Sequence, residues 1–124
     1  MMQHLTAEGD VEEREELLDG RVQVALGGAT GDLDVSCTLV WLLGRDGDVP
    51  LEEGYLTLVS EDGELEAALE SGTVAEQPET GAAVVRAAFV VDATSGGLST
   101  EGARLHAEID VGAERWSGEL TLEG

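Results

Sequence analysis

Hydrophobic and polar residues alternate with a period of two along most of the chain. Val22, Val24 and Leu26 alternate with Arg21, Gln23 and Ala25, and Leu33, Val35, Cys37, Leu39 and Trp41 alternate with Asp34, Ser36 and Thr38. Successive side chains of a strand point to opposite faces, so each stretch predicts a strand with one buried face. Leu56 and Leu58 precede Asp62-Gly63, a dipeptide favoured in two-residue hairpin turns. Leu65, Ala67 and Leu69 follow it, with Glu64, Glu66 and Glu70 on the other face. With Glu61 opposite Glu64, Leu58 meets Ala67 and Leu56 meets Leu69, which brings the apolar faces together. Val85, Ala87, Phe89 and Val91 form another strand face, and the opposite one, Val84, Arg86, Ala88 and Val90, is also rather apolar. The last two strands, 103–111 and 116–122, set Leu105, Ala107, Ile109 and Val111 against Leu122, Leu120, Gly118 and Trp116.

Residues 10–20, DVEEREELLDG, depart from this period. Asp10 as N-cap, Glu13 as the partner of a capping box and Gly20 as a stop predict one short helix, with Val11, Leu17 and Leu18 as a thin apolar stripe. Ahead of it, Leu5 and Ala7 alternate with His4, Thr6 and Glu8, which offers an eighth strand. The expected fold is all-β, a small antiparallel β-barrel or β-sandwich of seven to eight strands preceded by that helix. Eight strands suit a closed barrel, seven a sandwich. A length of 124 residues, 42% of them hydrophobic, suits a single domain over 1–124. Residues 44–54 and 72–81 are the longest expected loops.

Charge narrows the partners. Asp and Glu total 27 against six Arg and no Lys, a net charge of −21, so a nucleic-acid backbone or an anionic membrane is repelled. The absence of Lys and Asn, with Ile109, Phe89 and Tyr55 each the sole residue of its type, fits a GC-rich genome. That bias accounts for the missing lysines, not for the number of carboxylates. A cytoplasm of high ionic strength, where salt screens the self-repulsion, is one explanation, and an acidic protein in ordinary cytoplasm is the other. No apolar run reaches membrane-helix length and the first residues, MMQHLTAEGD, lack a secretion signal, so a cytoplasmic location is expected.

The candidate chemistry is sparse. Asp46, Asp48, Glu52 and Glu53 cluster in one expected loop, and such oxygens suit a hard cation such as Ca2+, although no D-x-[DN]-x-[DN]-G run is present. The alternative is a solvated loop. His106 stands on an outer face beside Arg104, Glu108 and Asp110 and opposite Thr121; it could serve as a general base, but an exposed sheet face is too wet for catalysis. Cys37, the lone cysteine, falls on an inward face and reads as core; with His4 and His106 it cannot complete a four-ligand zinc site. No hydrolase, nucleotide-binding or dehydrogenase motif occurs. No catalytic residue or cofactor is therefore assigned.

Two function classes remain, with a third behind them. Val40, Leu42, Val59, Val84 and Val90 fall on outward faces and offer a contact for a protein partner or a second copy, so the favoured reading is a non-catalytic acidic binding or assembly module. The alternative is a small-molecule-binding barrel, a carrier or a motif-free cyclase or isomerase, holding an apolar ligand in a cavity. That cavity would be lined by Cys37, Trp41, Ala67, Ala87, Phe89, Ala107 and Trp116, with Tyr55 also inside and the small residues and Gly118 at one level. The same residues fill the core if no cavity exists. The third class, a mimic of nucleic acid, follows from the charge alone.

Overall fold

A computed structural model describes residues 2–31, 33–42, 48–61, 63–77, 82–96 and 102–123. Its strands are β1 (Met2–Glu16), β2 (Arg21–Thr30), β3 (Leu33–Leu42), β4 (Asp48–Ser60), β5 (Gly63–Gln77), β6 (Ala82–Gly96), β7 (Arg104–Val111) and β8 (Arg115–Glu123). Each pairs antiparallel with the next, and β8 pairs with β1, which closes the sheet into an eight-stranded up-and-down barrel. Closure, rather than a second sheet, is how this chain removes its exposed edges.

Alternation dictates the layers. Along β7, exposed and buried residues alternate without exception, Arg104, His106, Glu108 and Asp110 facing out and Leu105, Ala107, Ile109 and Val111 facing in. The β7–β8 register is the one the sequence predicts, with Leu105 on Leu122, Ala107 on Leu120, Ile109 on Gly118 and Val111 on Trp116. Inside, Trp41, Phe89, Leu26, Leu39, Leu56 and Ile109 are among the fully buried side chains. Glycines make room for the large ones. A Cβ on Gly54 would stand 3.2 Å from Phe89 Cε1, and one on Gly72 would stand 2.8 Å from Leu51 Cδ1. Trp41 Nε1 donates to Glu76 Oε1 at 2.9 Å, so the indole is both packed and hydrogen-bonded.

Two sequence expectations are corrected. Residues 10–20 are not a helix: β1 runs through Glu16, pairing Asp10 with Gly27, Val11 with Leu26 and Glu16 with Val22, and 17–20 form the hairpin turn. Capping residues act locally, whereas the ladder to β2 pairs the segment from Asp10 to Glu16 on one edge, Glu12 apart, and overrides them. Gly20 does take the left-handed φ of 88° expected at a helix end, but it serves a turn in which Leu17 N–H donates to Arg21 O at 2.8 Å. The β4–β5 hairpin keeps its faces but shifts its register by two, placing Ser60 on Gly63, Leu58 on Leu65 and Leu56 on Ala67. Ser60 Oγ donates to Gly63 O across the turn at 3.3 Å. Asp62 itself lies outside the described residues.

Four ladder irregularities bend the wall. The extra residues are Glu12 in β1, Glu52 in β4, Glu70 in β5 and Asp92 in β6, all acidic and all exposed. A bulged residue leaves the ladder, so a charge there stays hydrated while the strand turns. Two are tied by arginine across an intervening strand: Arg21 Nε of β2 lies 2.9 Å from Glu52 Oε2, over β3, and Arg104 Nε of β7 lies 3.2 Å from Glu70 Oε1, over β6.

The outer wall carries the charge and the interior the apolar residues, the inverse of a barrel that faces lipid. No helix among the described residues is long and apolar enough to cross a membrane. With a net charge of −21 spread over so small a surface, screening relieves repulsion in the folded state more than in the expanded chain. The melting temperature is therefore expected to rise by roughly 5 °C or more between low salt and about 2 M NaCl, the shift that about 1 kcal/mol produces in a domain of this size. An unchanged melting temperature in a calorimetric scan would refute this.

Candidate binding surface

The registers align one outward row across five strands. Ala25 of β2 pairs with Thr38 of β3, Thr38 with Tyr55 of β4, Tyr55 with Ala68 of β5, and Ala68 with Val90 of β6. The adjoining row joins Gly27, Ser36 and Thr57. None of these residues is charged, on a chain with 27 acids. Tyr55 is 41% exposed at the middle of this band, and Val59, four residues along β4, is 38% exposed. The band's border is mostly acidic, with Glu13 beyond Ala25 at one end of the row and Arg104, paired with Glu70, beyond Val90 at the other. Val59 sits between Asp34 and Glu64, Thr57 pairs with Glu66, and Asp92 is the bulged residue of β6.

Tyr55 is outside because it neighbours Leu56, whose side chain faces in. The sequence expectation that it lines the interior is thereby corrected. Its phenol is held above the ordinary tyrosine range, first by desolvation against the sheet, then by its hydrogen bond to the Glu66 carboxylate and by the charges of Glu66, Asp92 and Glu64. It is therefore a neutral donor, with the rest of its ring open to a partner.

A second surface feature is a depression of about 660 Å³ over β5–β8, lined by Ser71, Thr73, Arg86, His106, Glu108 and Thr121 among others. His106 Nε2 lies 3.2 Å from Glu123 Oε2, and Arg86 Nε lies 3.7 Å from Glu108 Oε2. His4, on β1, flanks Thr121 from the other side, with Nδ1 3.2 Å from Thr121 Oγ1 and Nε2 3.7 Å from Glu119 Oε1. The His106 and Glu123 side chains are about half exposed. Water competes for every group here, so the arrangement favours ion pairing over proton transfer to a substrate.

Of the residues proposed for a cation, the three described ones form no metal-binding group. Asp48, Glu52 and Glu53 belong to β4 rather than to a loop, Glu52 is engaged by Arg21, and Asp46 lies outside the described residues. Among the described residues no three His, Cys, Asp or Glu side chains form a metal-binding group.

All seven residues named for a cavity, Cys37, Trp41, Ala67, Ala87, Phe89, Ala107 and Trp116, are buried in the barrel. The small ones do not form a single ring. Leu56 stands between Cys37 and Ala67, and Gly118 stands between Ala7 and Ile109. Ala87 and Ala107 do pair directly, but Leu51 reaches into the space at the adjacent Gly72. Burial pushes the Cys37 thiol up to about 12. At pH 8 only about one molecule in ten thousand then carries the thiolate, so a thiol reagent should label Cys37 at the rate of unfolding in the absence of denaturant. Labelling within seconds under native conditions would contradict its burial.

Of the five residues named for a partner contact, Val59 is exposed, Leu42, Val84 and Val90 are half-buried, and Val40 is only 5% exposed although it lies outside the core cluster. Val90 is the β6 member of the Tyr55 band and Val59 adjoins it; Val84 lies further along β6. Sequence reasoning missed Tyr55, Thr38 and Ala68 because it followed the inward faces. The missed pattern was the uncharged outward run Tyr55, Thr57, Val59. Compared with known proteins, the chain matches no protein-family model, no curated protein and no solved structure.

Proposed function

We propose that this protein is a non-catalytic binding module that holds a polypeptide partner against the outer wall of its barrel. One observation carries the reading: a band free of charge, centred on a 41% exposed tyrosine, crosses five strands of a chain with 27 acids. Tyrosine supplies a large rigid contact area with a polar tip, which is why it is enriched at interfaces, and charge is depleted at their centres. The border of Asp34, Glu64, Glu66 and Asp92 favours a partner with cationic groups around its own apolar centre. A second copy is disfavoured, since it would bring two surfaces of charge −21 together. The full burial of Trp41 and Phe89 supports a filled interior over a ligand cavity.

A photoreactive amino acid at position 55, compared with one at Glu119, tests this in extract of the native host. The expected result is one basic polypeptide cross-linked from position 55 and not from 119. The same products from both positions, or none, would overturn the proposal. Tyr55→Ala should weaken that partner's binding more than about tenfold while changing stability by less than about 1 kcal/mol, as measured by titration and by urea unfolding.

A further inference from the structure

We propose that the end of β1, Glu12–Glu16, accepts an extended cationic segment of a partner protein as an added strand. This site lies on the far edge of β1, three strands from Tyr55, and does not rest on the reading above. The β1–β8 ladder ends where Asp10 pairs with Arg115, followed by one bond from Val11 N–H to Glu114 O at 2.8 Å. β1 nevertheless continues to Glu16, held only by β2, with Glu13 on Ala25 and Glu16 on Val22. Among the described residues, nothing pairs with the other edge of 12–16. The closed barrel thus keeps a short open edge here among the described residues, and an open edge presents backbone donors and acceptors ready to pair.

The side chains on that edge determine what pairs. Its sequence is Glu-Glu-Arg-Glu-Glu, the same in both directions. Antiparallel pairing with a second copy, centred on Arg14, would oppose Glu12 to Glu16, Glu13 to Glu15 and Arg14 to Arg14. Every pair would be of like charge, which is destabilising. The complementary strand carries a cation opposite each glutamate and an anion opposite Arg14. The edge therefore rejects its own kind and selects a segment of the pattern basic-basic-acidic-basic-basic. Next to it, at the hairpin tip, Leu18 is fully exposed and offers an apolar foothold.

The probe is a synthetic peptide, Thr-Val-Lys-Lys-Glu-Lys-Lys-Val-Thr, titrated into the 124-residue chain at low salt and followed by amide NMR. Expected are shifts and exchange protection confined to Glu12–Glu16, with nuclear Overhauser contacts between the peptide backbone and β1. N-methylation of alternate peptide amides, which leaves every charge in place, should weaken binding at least about tenfold. The double substitution Glu13→Lys, Glu15→Lys should do the same. Equal binding of the N-methylated peptide would mean attraction by charge alone and would overturn the proposal, as would no binding or shifts spread over the acidic wall. Tyr55→Ala should leave peptide binding unchanged, so this proposal and the Tyr55 reading fail separately.

Discussion

Replacing Gly9 or Gly28 with alanine is expected to destabilise the fold by about 3 kcal/mol or more, lowering the melting temperature by roughly 10 °C or more. These two glycines pair with each other across β1 and β2. A Cβ on Gly9 would stand 2.0 Å from Gly27 O and 2.5 Å from Gly28 Cα, and one on Gly28 would stand 2.1 Å from Glu8 O. All of those atoms are backbone. No rotamer change relieves such contacts, so the two strands would have to separate. Separation would also disturb Trp116, which pairs with Gly9 and donates from Nε1 to Gly27 O at 3.1 Å. Bare backbone here is what lets a strand bend at close range under an indole. Gly31→Ala is a suitable control, because a Cβ there meets nothing within 4 Å, although its φ of 58° adds a strain of its own. Equal stability of Gly9→Ala and the native chain in urea unfolding would contradict the described approach of β1 to β2.

Trp41→Ala is expected to cost about 3–5 kcal/mol, the range for removing a buried aromatic side chain. Trp41 is fully buried, pairs with Val22 on one side and Leu51 on the other, and holds Glu76 through its indole N–H. Its loss would open a void and leave the Glu76 carboxylate without that donor. Trp41→Phe keeps most of the packing and should cost about 1–2 kcal/mol, which separates the hydrogen bond and ring edge from the bulk of the side chain. A loss below about 1 kcal/mol for Trp41→Ala, measured by urea unfolding, would mean that the barrel is not filled around this residue. That outcome would revive the cavity reading, so the experiment bears on function as well as stability.

The inward faces were legible in the sequence because the side-chain period of a strand is two wherever one face is buried. β7 and β8 could even be aligned, since only one register matches all four apolar pairs. The β4–β5 hairpin was misaligned by two for the same reason: an even shift preserves the faces, and only the turn distinguishes the two registers. Closure into a barrel rather than a sandwich depends on β1 meeting β8 over more than a hundred intervening residues, which no local pattern encodes. The segment 10–20 misled because Asp10, Glu13 and Gly20 satisfy helix-end chemistry while β2 offers a better use of the same backbone. The Tyr55 band was invisible for a different reason. Ala25, Thr38, Tyr55, Ala68 and Val90 are unremarkable one at a time, and only the cross-strand registers bring them into a row. Charge patterning was legible from composition; where charge is withheld was not.

Native mass spectrometry of the protein, purified gently from its own host at that host's ionic strength, tests the central claim most directly. A polypeptide-binding barrel with a filled interior should appear with a second, basic polypeptide bound, and the chain alone should have its sequence mass. A chain that carries an added few hundred daltons, and no second polypeptide, would contradict the account and point to a small molecule inside the barrel.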